Sequence, residues 1–238
     1  MNKISILLTL LLTLMSCHNY NNQTIQQIKH LGANTTVWIG KGNSHGTGFI
    51  VKHQGVRYIA TNSHVCNISN NSEIDVKTNL NETVYKVNII IMDRDHDLCL
   101  TTVPKELRSN GLKLGIQPHE LDAVHVIGFP SNNLKSYVSG VYTGERKDIA
   151  IDYPYSKKEC PIKMTRHWFY QTLMCTLNIL SGEITASIFG GNSGSAVLNN
   201  KGFIVGVVYA SSSNTTVSNY MIPVRFLRKL IENQNKVK

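Results

Sequence analysis

The sequence predicts an all-β fold, a barrel or a sandwich, followed by one terminal helix. Short β-branched runs recur along the chain, among them Thr36-Val37-Trp38-Ile39, Val56-Arg57-Tyr58-Ile59-Ala60 and Phe203-Ile204-Val205-Gly206-Val207-Val208-Tyr209. Glycine and Asn/Ser clusters punctuate these runs at short intervals, as strands joined by tight turns require. One helical period stands apart: after Pro223, Val224, Phe226, Leu227, Leu230 and Ile231 recur at three- and four-residue spacing and form one apolar face.

Taken in order, the chain opens on a segment outside that fold. Met1-Asn2-Lys3 is a short positive region, and Ile4 to Leu14 is an apolar run too short for an ordinary membrane span. Residues 1–16 therefore read as an export signal. Its end, Leu14-Met15-Ser16-Cys17, resembles a bacterial lipobox, which would make Cys17 the lipidated first residue of an envelope lipoprotein. The alternative is a plain secretory signal cleaved near Ser16 or Cys17. Residues 17–33 read as a polar tether.

The 238 residues leave room for one large domain or two small ones. With 42% apolar and 16% charged residues, a mostly disordered chain is excluded. The formal charge is +9, yet no compact Lys/Arg run interleaves with aromatics. A solvated basic surface is expected, and no nucleic-acid partner.

Three stretches carry chemistry. In Gly190-Gly191-Asn192-Ser193-Gly194-Ser195 a serine is flanked by glycines. A serine hydroxyl is a poor nucleophile unless a base lies within reach. The glycines permit a sharp bend and leave amides able to face a developing oxyanion. Alone, the run is also ordinary turn chemistry. Upstream, Ile59-Ala60-Thr61-Asn62-Ser63-His64 carries a strand-like segment into a histidine, and Asp93-Arg94-Asp95-His96-Asp97 opens the apolar Leu98-Cys99-Leu100. Asp97 is the candidate carboxylate because it adjoins the strand that would fix its position. Asp93 and Asp95 read as solvated turn residues.

These motifs, in the order His, Asp, Ser, resemble the trypsin-like (chymotrypsin-fold) serine proteases of the bacterial HtrA (Deg) and glutamyl-endopeptidase types. Thr61-Asn62-Ser63-His64-Val65, Asp97-Leu98-Cys99-Leu100 and Gly191-Asn192-Ser193-Gly194-Ser195 carry the likeness. Gly46-Thr47-Gly48-Phe49, Val126-Ile127-Gly128-Phe129-Pro130 and Met221-Ile222-Pro223-Val224 add landmarks. The resemblance implies two six-stranded antiparallel β-barrels with the site in the cleft between them. The first would span 34–113, a crossover 114–121, and the second barrel with the C-terminal helix 122–238, with no PDZ domain following. It assigns Ser193 as nucleophile, His64 as general base and Asp97 as the group orienting it, with the N–H groups of Gly191 and Ser193 as oxyanion hole. The rate should then fall as the pH drops through the range in which an imidazole protonates. Asn192 stands where digestive enzymes carry an aspartate that receives a new N-terminus, so activation of that type is not expected.

The same likeness places Ser187 at the floor of the S1 pocket, Tyr209 and Ser211 on one wall and the substrate-pairing strand, and Ser218 near the other wall. No acid occupies these places, and Val208 stands where glutamyl endopeptidases use a histidine. The expectation is a neutral pocket for small or medium apolar side chains. With Cys17 set aside, Cys66, Cys99, Cys160 and Cys175 remain, without a C-x-x-C pair to suggest zinc. Cys160 and Cys175 flank a segment before the nucleophile loop, where export permits a disulfide. Cys66 and Cys99 read either as a pair across the first barrel or as buried free thiols. No cofactor or metal is called for. The expected function is an exported serine endopeptidase acting on proteins or peptides, membrane-attached through Cys17. A non-catalytic pseudoprotease-like binding module and an HtrA-like protease-chaperone are the alternatives.

Overall fold

A computed structural model of the chain describes residues 23–41, 44–67, 72–78, 83–130, 134–154, 164–166, 173–211 and 219–236. The expected export signal over residues 1–16, Cys17, Cys160 and Ser218 lie outside the described residues.

The first element corrects the tether expected over 17–33. From Ile25 onward that stretch is a helix, α1 (Ile25–Thr35). Its N-terminus is a capping box: Gln27 N–H donates to Thr24 Oγ1, and Thr24 N–H donates to Gln27 Oε1. Thr-x-x-Gln was the readable start signal, but Ile25, Ile28 and Leu31 were too few among polar neighbours to announce a face. Burial of Ile28 in the common core supplies the stabilisation that the isolated sequence lacks.

Strands β1 (Thr36–Lys41), β2 (Ser44–His53), β3 (Val56–Thr61), β4 (Glu73–Lys77), β5 (Tyr85–Asp93) and β6 (Leu98–Thr101) form a closed antiparallel barrel in the order β1-β2-β3-β6-β5-β4. One helical turn, α2 (Ser63–Cys66), follows β3. Ile39, Ile50, Ile59, Ile74, Val76 and Val87 fill the interior. Leu112 pairs back to β2 through Lys52 N–H to its carbonyl (2.9 Å) and its N–H to Ile50 O (2.8 Å). Gly115 N–H already donates to Ile204 O of the second barrel (2.7 Å).

The second barrel comprises β7 (Ala123–Gly128), β8 (Ser136–Pro154), β9 (Met164–Arg166), β10 (Leu173–Ile184), β11 (Ala196–Asn199), β12 (Ile204–Ser211) and β13 (Asn219–Pro223). Six strands run β13-β12-β11-β7-β8-β10 and close through a β13–β10 pairing, while β9 extends the edge of β10. The chain thus has the two six-stranded barrels that the resemblance implied. The terminal helix forms as its periodicity predicted, α3 (Val224–Lys236), burying Val224, Leu227, Leu230 and Ile231.

One apolar cluster runs through both halves. It contains Phe49, Tyr58 and Leu100 from the first barrel and Leu198, Ile204 and Ile222 from the second, with Ile28 of α1 and Leu227 of α3. This shared core holds the two barrels, and the cleft between them, in one arrangement.

Candidate active site

The cleft is built from three chain segments, two on the first barrel. Strand β3 ends at Thr61, Asn62 is extended, and the single turn of α2 presents His64. Strand β6 begins at Leu98, and Asp97 enters it from a turn with φ +50°, a conformation aspartate tolerates better than most residues. The Asp97 side chain is 0% exposed, and a buried carboxylate needs donors. Oδ1 accepts from Ser63 Oγ (2.8 Å) and from His64 N–H (2.9 Å). Oδ2 accepts from His64 Nδ1–H at 2.7 Å, and Asn62 Nδ2 donates to the Asp97 carbonyl at 3.0 Å. Donation from Nδ1 sets the tautomer, so Nε2 is the basic nitrogen.

A disulfide, Cys66–Cys99, joins the same two segments, with Cα atoms 6.6 Å apart. It resolves the alternatives left by the sequence: these cysteines are bonded and not free thiols. The expected Cys160–Cys175 bridge lies outside the described residues, since Cys175 is described only as backbone on β10.

Ser193, half-buried, sits in a turn between β10 and β11 with positive φ at Gly191 (93°) and Gly194 (87°). Gly194 N–H donates to Val208 O (2.8 Å) and Val208 N–H to Ser195 O (2.9 Å), which pins the turn on β12. Asn192, buried, donates its N–H to Phe189 O (3.0 Å). Among the described residues, the N–H groups of Gly191 and Ser193 donate to no protein group. The turn is also bound to the first barrel: Thr47 N–H donates to Ser193 O at 2.8 Å. A Cβ placed on Gly46 would lie 2.6 Å from Val65 Cγ2 and 3.0 Å from Ser193 O, so the histidine's neighbour and the serine flank one glycine. His64 and Ser193 share this cleft, with no hydrogen bond between them among those described.

The expected specificity residues are less uniform. Ser187 is exposed, and Ser211 ends β12. Tyr209 corrects the sequence reading. Its side chain is 1% exposed and packs in the core, with its hydroxyl hydrogen-bonded to Ser181 and pushed up by burial. β12 is buried on both faces from Ile204 to Tyr209, so the Tyr209 ring goes into core packing and not onto an open wall. Asp93 is not a plain solvated turn residue either. Burial works against its charge, but the His96 hydrogen bond (2.8 Å) and charge outweigh it and hold the carboxyl below its ordinary value.

Sequence reasoning assigned no role to Ser63 or Thr47, which the structure shows bonded to Asp97 and to the serine turn respectively. The only available signal was their place inside the quoted motifs.

Comparison with known proteins agrees with this geometry. The trypsin-like peptidase domain matches residues 46–207. A protein named "Serine protease HtrA-like" from Staphylococcus aureus (strain USA300) is 30% identical over 201 residues, covering 79% of this chain and 23% of that protein. The chain thus spans about a quarter of the length of such curated relatives. Among solved structures, the Rv3671c protease of M. tuberculosis in its inactive form superposes with a TM-score of 0.64 at 16% identity, covering 87% of this chain and 92% of that one. The serine endoprotease from Yersinia pestis gives 0.61 at 22% identity, covering 89% and 66%. By the match over most of both barrels, the chain belongs to the family of trypsin-like peptidase domains.

Proposed function

We propose that this chain is a serine endopeptidase that works through Ser193, His64 and Asp97. The observation that carries the reading is the 2.7 Å bond from His64 Nδ1–H to a fully buried carboxylate, opposite a glycine-flanked serine held against the same barrel. In the reaction, His64 Nε2 takes the Ser193 hydroxyl proton as Oγ attacks the substrate carbonyl. Asp97 stabilises the imidazolium without taking its proton. The oxyanion accepts hydrogen bonds from the N–H groups of Gly191 and Ser193, and the imidazolium then protonates the leaving amine as the C–N bond breaks. Water reverses the sequence, releasing the acid and restoring Ser193. Ser63 is the wrong serine for this role: it is 1% exposed and its hydroxyl is committed to Asp97.

The substrate is a protein or peptide. A neutral S1 pocket near Ser187 accepting small or medium apolar side chains, export of the chain, and attachment through Cys17 complete the proposal. The decisive test is labelling with a fluorophosphonate probe together with a peptide-library digest. Wild-type protein should label and cleave, and Ser193→Ala should do neither. A stable wild-type protein that does not label would favour the pseudoprotease-like binding module. Strong cleavage after Arg, Lys or Glu would reject the neutral pocket.

A further inference from the structure

We infer that Thr47 is the positioning residue that holds the oxyanion turn in register with the histidine segment. The inference deepens the serine-protease reading and rests on it. Thr47 lies inside β2 of the first barrel and is 0% exposed, yet three of its hydrogen bonds cross to the second barrel. Its N–H donates to Ser193 O (2.8 Å), its Oγ1–H donates to Gly191 O (2.8 Å), and its Oγ1 accepts from Phe129 N–H (2.9 Å). A fourth bond stays within the first barrel: its carbonyl accepts from Thr61 Oγ1 (2.7 Å), three residues before His64.

The direction of the hydroxyl proton follows from its partners. An amide N–H can only donate and a carbonyl can only accept, so Oγ1 receives the Phe129 proton and sends its own to Gly191. A hydroxyl used on both sides is polarised by each bond and strengthens both. The two residues held by their carbonyls, Gly191 and Ser193, are the two whose N–H groups face the oxyanion. Fixing the carbonyl side of each Cα limits how far the N–H side can turn. The same residue ties down the segment that carries the base, so nucleophile, oxyanion donors and base take their relative positions from one side chain and its peptide. Valine has the same shape but can make neither hydroxyl bond, and serine keeps both.

The test compares wild type, Thr47→Val, Thr47→Ser and Ser193→Ala in the mature protein. The readouts are peptide turnover, thermal unfolding, affinity for a peptidyl boronic acid that forms a tetrahedral adduct, and affinity for the matching product peptide. Thr47→Val should lower kcat about ten- to hundredfold and weaken the boronate by a similar factor, because oxyanion donors act on the tetrahedral state. KM and product affinity should stay within about twofold, and Thr47→Ser should restore kcat to within about threefold of wild type. Should Thr47→Val fail to fold, Thr47→Cys, which lacks the methyl group and offers only a weak donor, takes its place on the same readouts. The proposal is overturned if the valine or cysteine variant keeps wild-type kcat, if boronate and product weaken equally, or if serine does not rescue. If Ser193→Ala still turns over substrate, the serine-protease reading itself fails. If Ser193→Ala is dead and Thr47→Val is fully active, only the role of Thr47 is lost.

Discussion

Asp97 shows how much of the chemistry depends on one buried charge. The carboxylate is out of water and takes its hydrogen bonds from Ser63 and His64, while Asn62 holds the Asp97 main-chain carbonyl, so the histidine segment builds its own counter-group's cage. Ser63→Ala should remove one donor from Oδ1 and cost about 1.5–3 kcal/mol of stability, the usual worth of a hydrogen bond to a charged group. Turnover should fall with it, and urea unfolding beside steady-state kinetics would check both. Asp93 gives a second expectation of definite sign. Its folded-state carboxyl is held below its ordinary value, so its contribution is complete above the unfolded value of about 3.9 and is lost as the pH falls through the lower folded one. Asp93→Asn should therefore be less stable than wild type at neutral pH, and the gap should close as the pH falls below about 4. A pH series of thermal melts measures this; a gap independent of pH would assign the loss to packing alone.

At the scale of elements, the single turn of α2 is too short to hold itself. It contains four residues, and the side chain of its cap residue Asn62 makes no capping bond, donating to the Asp97 carbonyl instead. What positions it is the Cys66–Cys99 bond to β6, with the Asp97 contacts on the other side. Closing a loop over a sequence separation of 33 should contribute about 3–4 kcal/mol, chiefly by restricting the unfolded chain. The double variant Cys66→Ala/Cys99→Ala should accordingly melt lower and show reduced kcat, because the bond spans the two segments that carry base and carboxylate. Thermal melts and kinetics on the same sample would reveal whether activity and stability fall together. Strand β12 makes a different point. It is buried on both faces and the Tyr209 hydroxyl bonds Ser181, so the place where a pocket wall was expected supplies core packing instead.

For the molecule as a whole, the cleft is as stable as the interface between the barrels. Ile28 of α1 and Leu227 of α3 lie in the cluster that joins the two halves, and the Phe226 ring stacks on His96, one residue before Asp97, with centroids 4.2 Å apart. The two helices therefore act as buttresses outside the barrels. Ile28→Ala should destabilise by about 2–5 kcal/mol, as other large-to-small changes in cores do. Both barrels should unfold in one transition, read by matching denaturant midpoints from tryptophan fluorescence and far-UV circular dichroism. Two separate transitions would show that the shared core does not couple them.

Much of this architecture could be read in advance from local pattern. β-branched runs between turn residues announced the strands, the 3.6-residue period after Pro223 announced α3, and Asp97 was separable from Asp93 and Asp95 because it opens a buried strand. Those features are properties of neighbouring residues. What remained hidden depends on partners far away in the chain. The pairing of Cys66 with Cys99, the helix at Ile25–Thr35, the inward turn of Tyr209 and the cross-barrel bonds of Thr47 each need a second segment that only folding delivers. The linear order of residues determined which groups were available for chemistry and which segments would become strands. Tertiary structure alone decided which hydroxyl bridges the two barrels and which thiols pair within the first, because hydrogen bonds and disulfides depend on distances of a few ångströms that sequence separation does not encode.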